Sequence, residues 1–151
     1  ISLIALWVVL VDLDGTIFEI TPNWSMERNS EWEKETLNAK PLAGGVARLR
    51  ILKEMGFTVV VLTARGQGCR KYTTQKLKAH GLWDLVDHIY HRPKAYEGVK
   101  TSVYKAAMIA RLQKKFRFLA SLEDEEPNLQ VMRQAGIPIV LDAKTWWVQN
   151  S

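Results

Sequence analysis

The sequence predicts an α/β fold, a three-layer sandwich built on a five-stranded parallel sheet. Three observations carry that expectation. Val8 to Val11 is an unbroken apolar run, as expected of a strand covered on both faces. Four further short strand-like stretches follow, and helically spaced or polar stretches separate them. Gly56, Gly81 and Gly136 stand where the helical spacing stops. Strands that alternate with helices are joined by right-handed crossovers, so they all point one way and their carboxyl ends share one edge of the sheet.

Taken in order, the first strand runs into Asp12, Asp14 and the turn at Gly15-Thr16. The stretch 18–41 is polar, carries Trp24 and Trp32, and lacks a clean apolar period; it reads as a short insertion with a helix around Ser30 to Leu37. Gly44 to Met55 is expected to be helical, with Val46, Leu49, Leu52 and Met55 inward and Arg48, Arg50 and Lys53 off that stripe. Phe57 to Leu62 is the second strand and ends at Thr63. A basic helix spans Gly68 to His80, with Tyr72 and Leu77 inward, and Val86 to Tyr90 is the third strand. Ser102 to Lys115 is an amphipathic helix carrying Val103, Ala106, Ala107, Ile109, Ala110 and Leu112. Phe116 to Leu122 is the fourth strand, Pro127 opens the next helix, and Ile137 to Leu141 is the fifth.

Composition narrows the class. The chain has 151 residues, 47% of them hydrophobic and 25% charged, as in a single soluble domain spanning 1–151 rather than a disordered chain. Its net charge of +5 favours an anionic partner, a nucleic acid or a phosphate ester. Cys69 is the lone cysteine, so no intrachain disulfide forms and a reducing, cytoplasmic compartment is expected. The first eleven residues are apolar but too short to span a bilayer, and no membrane partner is expected.

The strand ends gather the chemistry. Asp12 and Asp14 follow the first strand, Thr63-Ala64-Arg65 the second, His91-Arg92-Pro93 the third, and Glu123-Asp124-Glu125-Glu126 the fourth. Four consecutive acids beside Asp12 and Asp14 repel one another unless a cation neutralises them, and an oxygen-only donor set favours magnesium over zinc. Glu125 and Glu126 are read as complementing the dipole of the helix that follows. His80, His88 and His91 share no metal-ligand spacing and are read as ordinary polar or partly buried residues.

Asp-Leu-Asp-Gly-Thr at 12–16, Leu-Thr-Ala-Arg at 62–65, a lysine opening a later helix and Glu-Asp after the fourth strand occur in that order. This set resembles the four motifs of the haloacid dehalogenase-like phosphatases. Thr-Ala-Arg-Gly, Tyr-His-Arg-Pro followed by Val-Tyr-Lys, and Val-Met-Arg-Gln-Ala-Gly-Ile after Glu-Asp are similar to the phosphatase domain of phage-type polynucleotide kinase–phosphatases.

The resemblance implies a Rossmann-like core without a large cap, and a magnesium-dependent phosphomonoester hydrolase. Asp12 is then the nucleophile that forms an aspartyl-phosphate. Asp14 is the general acid and later base, with its backbone carbonyl toward the metal. Thr63 bonds the phosphoryl group, and Asp124, helped by Glu123, holds Mg2+ together with Asp12. The lysine is Lys105, with Lys94 as the alternative; Arg65, Arg92 and Lys94 are candidates for binding substrate. Glu123 departs from the second Asp of that subgroup, which puts its role as a direct ligand in question.

The intervals between motifs leave no room for a lid domain, so an open site is expected, which tolerates a large substrate such as a nucleic-acid end or a phosphoprotein. With the resemblance, a polynucleotide 3′-phosphate is the leading expectation. Arg70, Lys71, Lys76, Lys78, Lys94, Lys100, Lys114 and Lys115 are candidates for a phosphate-backbone path, each also readable as a solvated surface residue. The alternatives are a nucleotidase or small-metabolite phosphatase and, in a different class, a non-catalytic phosphate-binding module. A phosphoacceptor signalling domain has the same inventory of acid, hydroxyl and lysine but in another order along the chain. Trp24 or Trp32 can stack on a base or rim the site, while Trp7, Trp83, Trp146 and Trp147 are expected to close the core or pack a terminus.

Overall fold

The computed structural model describes residues 7–21 and 29–146. Five parallel strands form one sheet: β1 (Val8–Val11), β2 (Thr58–Gly66), β3 (His88–Arg92), β4 (Phe118–Glu123) and β5 (Ile139–Asp142). Their spatial order is β3-β2-β1-β4-β5. The helices are α1 (Ser30–Glu35), α2 (Ala43–Glu54), α3 (Arg70–Ala79), α4 (Thr101–Leu112) and α5 (Glu126–Gln134).

All four residues of β1 are fully buried, and their alternation divides the core. Val9 and Val11 face one layer with Leu49 and Leu52 of α2 and Leu77 of α3. Val8 and Leu10 face the other with Tyr104, Met108 and Ile109 of α4 and Met132 of α5. The chain therefore winds outward from β1 in one direction through α2 and α3, then crosses and winds out the other way through α4 and α5. Such a reversal leaves a crevice beyond the carboxyl ends of the central strands. Pairing of Val11 with both Val61 and Leu122 aligns those ends, so Asp12 emerges opposite Glu123 and one residue short of Thr63.

The α/β class, the strand count and the parallel sense agree with the sequence, and among the described residues no large cap covers the sheet edge. Several local expectations are corrected. Arg48 is fully buried, and its Nε donates to the Trp146 carbonyl at 3.1 Å; Met55, assigned inward, is exposed at the end of α2. On α4 the inward face is Tyr104, Met108, Ile109 and Leu112, while Val103 is exposed. Thr73, not Tyr72, accompanies Leu77 on the buried face of α3. β3 begins at His88 rather than Val86, because Asp87 instead caps the edge: its Oδ2 accepts from Val59 N at 2.8 Å and pairs with Lys53.

Trp32 is buried, Trp7 is half-exposed against Phe57, and Trp146 packs on the core. Trp24 and Trp147 lie outside the described residues. No helix among the described residues is long and apolar enough to cross a membrane.

Candidate active site

The loop after β1 is folded tightly on itself. The Leu13 carbonyl accepts from the amides of Ile17 at 2.9 Å and Phe18 at 3.1 Å, and Asp12 N donates to Leu122 O at 2.9 Å. Gly15 has φ +84°, and a Cβ there would lie 2.2 Å from Asp124 Oδ2, so both its conformation and the approach of Asp124 require glycine. Gly45, in the first turn of α2, has the Thr16 carbonyl where its Cβ would be, which lets the helix press directly on the loop.

Three carboxylates and one ammonium meet at the bottom. Lys105 Nζ lies 2.7 Å from Asp12 Oδ1 and 2.6 Å from Glu123 Oε1, with all three groups buried. The other oxygen of Glu123 accepts from the amides of Asp124 at 2.8 Å and Glu125 at 3.1 Å. The Thr16 hydroxyl stands between carboxylates, 3.2 Å from Asp12 Oδ2 and 3.3 Å from Asp124 Oδ1.

The charges are unevenly matched. Burial, reinforced by the charge of Glu123, raises the Asp12 carboxyl well above the ordinary range despite Lys105. Burial likewise lifts Asp124 to about 7. Burial also pushes Glu123 upward, but Lys105 and its hydrogen bonds outweigh that and hold it below its usual value. Burial opposes charge on Lys105, and the charges of Asp12 and Glu123 overcome it, so its pKa lies above the usual lysine value.

Asp12, Glu123 and Asp124 each offer an oxygen, all within 4.8 Å of one another. An all-oxygen donor set with more negative charge than Lys105 can match fits a hard divalent cation. Glu123 differs from the other two in taking backbone amides, those of Asp124 and Glu125, on the oxygen that does not face Lys105.

Asp14 points to the other side. Arg65 grips it bidentately, with Nε 2.9 Å from Oδ2 and Nη2 2.8 Å from Oδ1, and the Thr21 hydroxyl is 3.3 Å from Oδ1. Arg65 is buried, and its Nη1 donates to Thr73 Oγ1 at 3.4 Å. Thr63 is also buried; its Oγ1 accepts from Arg65 N at 3.0 Å, and its carbonyl accepts from the Tyr104 hydroxyl at 2.8 Å. Burial pushes the Tyr104 phenol up, so it stays protonated as that donor.

The structure thus brings Asp12, Asp14, Thr63, Arg65, Lys105, Glu123 and Asp124 to one place. It separates Arg92 and Lys94 from them. The Arg92 guanidinium braces the loop after β3, donating to the carbonyls of Tyr96 and Val99 and lying 4.9 Å above the Tyr104 ring. Lys94 is exposed in a 3₁₀ turn. On α3, Lys71, Lys76 and Lys78 stand over the rings of Tyr72, Phe18 and Trp83.

Thr16, Thr73 and Tyr104 are missed by the sequence reading. The Val-Tyr-Lys run held the one signal for Tyr104, a phenol beside the lysine on a buried helix face.

Two hollows flank Ala64. One, of about 100 Å³, is lined by Asp12, Asp14, Ala64, Lys105 and Asn128 among others. The second, of about 480 Å³, lies over the ends of β2 and β3 and has Trp32, Glu33, Gly66, Gln67 and Lys94 in its walls. Ala64 lines both.

Residues 7–144 match the family model of the polynucleotide kinase PNKP phosphatase domain. Comparison with curated proteins gives no match. Among solved structures, the chain resembles one from a Pnkp1/Rnl/Hen1 RNA repair complex with a TM-score of 0.75 at 17% identity, covering 93% of this chain and 43% of that one. It therefore spans less than half the length of that relative. It also resembles the D,D-heptose 1.7-bisphosphate phosphatase from B. bronchiseptica complexed with magnesium and phosphate (TM-score 0.53, 17% identity, 86% and 76% of the two chains). A phospho-aspartyl intermediate analogue of phosphoserine phosphatase aligns with a TM-score of 0.56 at 11% identity, over 90% and 85% of the two chains. With the family match spanning the whole described sheet and the acidic cluster at its carboxyl edge, this chain belongs to the PNKP phosphatase-domain family of the haloacid dehalogenase-like phosphatases, the phosphoric monoester hydrolases.

Proposed function

We propose that the domain hydrolyses phosphomonoesters through an aspartyl-phosphate on Asp12, with Mg2+ as cofactor, and that its substrate is the 3′-phosphate end of a polynucleotide. The observation that carries this reading is Asp12 itself, buried against Lys105 in a small hollow that shares Ala64 with a larger cleft, with no large cap over them among the described residues.

Asp12 attacks phosphorus in line, and the bond to the leaving oxygen breaks as the new one forms. Lys105 offsets the charge of the nucleophile and the transferring group without moving, since Glu123 holds its ammonium from the far side. Thr63 Oγ1 accepts from Arg65 N, which leaves its O–H to donate to a phosphoryl oxygen. Asp14 gives its proton to the departing alkoxide and then takes one from the water that cleaves the acyl phosphate. Asp12 and Asp124, with Glu123 in support, would hold Mg2+, which would supply positive charge against which two anions can approach. The larger cleft takes the terminal nucleoside, and Lys94 at its rim meets the next phosphate.

Phosphate release from a 3′-phosphorylated oligonucleotide, nucleotides and sugar phosphates, with and without chelator, tests this reading. The expected result is chelator-sensitive release, fastest from the oligonucleotide. Faster release from small esters overturns the substrate and keeps the mechanism; no release from any ester overturns both.

A further inference from the structure

Behind Asp14 lies a chain of buried polar groups that the reaction scheme leaves unused. Arg65, which grips Asp14, donates through Nη1 to Thr73 Oγ1. The Thr73 hydroxyl donates its single hydrogen to the Cys69 carbonyl at 3.1 Å, and His91 Nε2 lies 3.1 Å from the same oxygen. A hydroxyl has one hydrogen and two lone pairs. With the hydrogen on Cys69 and one lone pair taken by Arg65, the second lone pair accepts from His91, which fixes the proton on Nε2.

His91 Nδ1 is then the bare nitrogen, and it is buried with no hydrogen-bond partner among the described residues. Burial and the nearby charges of Arg70 and Arg65 hold the imidazole down to about 4, so it is a neutral donor under ordinary conditions. Every valence of Thr73 is occupied, and Thr73, Arg65 and His91 are all buried, so the guanidinium plane has no freedom to turn away from Asp14.

We propose that His91 is a positioning residue for the general acid: through Thr73 it locks Arg65, and through Arg65 it fixes where the Asp14 carboxyl stands. This rests on the reading of Asp14 as the acid. It also explains why a histidine is placed in a site that leaves one of its nitrogens unpaired. An imidazole brings the Nε2 donor across the gap from β3 to α3 without adding a second buried charge beside Arg65.

The test is the dependence of kcat on the leaving group. An acid matters most for a poor leaving group such as an alkyl alcohol and least for an activated phenol such as that of p-nitrophenyl phosphate. In His91→Leu and Thr73→Val, the ratio of kcat on an alkyl phosphate to kcat on p-nitrophenyl phosphate is expected to fall about tenfold, the scale of lost supporting hydrogen bonds. His91→Gln, whose amide N can restore the donor, is expected to return the ratio to within about twofold of the parent.

A ratio equal to the parent's in both His91→Leu and Thr73→Val overturns the proposal, whether overall activity is kept or uniformly reduced. Asp14→Asn is the control for the underlying reading. If it steepens the leaving-group dependence and the other two variants do not, the positioning role alone has failed. If Asp14→Asn also leaves the ratio unchanged, the acid assignment has failed and the positioning role with it.

Discussion

At the scale of single residues, Lys105 is surrounded by more negative charge than it can balance, with Asp12 and Glu123 both within 2.7 Å of its ammonium. Its removal strands two buried carboxylates, a loss that typically costs about 3 kcal/mol or more. Lys105→Ala is therefore expected to lower the urea midpoint strongly and to abolish turnover. Lys94→Ala, at an exposed position in the cleft wall, is expected to leave stability unchanged and to raise KM for an oligonucleotide. Urea titration and steady-state kinetics on both variants check this pair, and the reverse pattern transfers the catalytic role to Lys94. Gly15 is constrained as tightly, for its Cβ would meet Asp124 Oδ2. Gly15→Ala is expected to weaken magnesium binding measurably by calorimetry, since either the loop or Asp124 has to move.

At the scale of elements, β1, β2, β4 and β5 were legible in the sequence as apolar runs that no helix pattern interrupts, whereas β3, His-Ile-Tyr-His-Arg, is largely polar and its start was misplaced. The site residues at their ends followed from the parallel sense alone. Registers that pair Val11 with Val61 and Leu122 turn that expectation into contact. The misassigned details share a physical reason: helical period reports which residues are apolar, and this core also buries polar side chains that find partners. Arg48 reaches the Trp146 carbonyl, Lys105 reaches two carboxylates, and Tyr104 reaches the Thr63 carbonyl. Arg65 was legible as a site residue, but a guanidinium suits a phosphate and a carboxylate equally, and here its fork holds Asp14.

The cleft between α1 and the loop after β3 yields an element-scale prediction. Gly66 lines it, has an ordinary φ of −66°, and would meet nothing within 4 Å of an added Cβ. Gly66→Leu is therefore expected to fill the cleft without strain. It should cut kcat/KM for a 3′-phosphorylated oligonucleotide about tenfold or more and spare p-nitrophenyl phosphate. Equal activity on both substrates relative to the parent removes the cleft from substrate binding.

At the scale of the whole molecule, the acidic cluster links folding, metal and pH. Burial raises Asp12, and it raises Asp124 to about 7 from an ordinary 3.8. A carboxyl group raised in the fold stabilises it while protonated. That contribution is complete below the unfolded value and is lost as pH climbs through the folded one. Magnesium competes with those protons, so its benefit grows as they leave. The difference in Tm between magnesium and chelator is expected to widen as pH rises from about 5 to about 8. An increment independent of pH contradicts the assignment of Asp12 and Asp124 as ligands.

The central claim is that phosphate passes through Asp12. The direct measurement is rapid acid quenching of the enzyme with a substrate labelled in its phosphoryl group, followed by peptide mapping of the protein-bound label. Label is expected on Asp12, lost to water on a chase, and none in Asp12→Asn, whose turnover falls at least about a thousandfold with the fold retained. Label on another residue, or turnover in Asp12→Asn close to that of the parent, contradicts it.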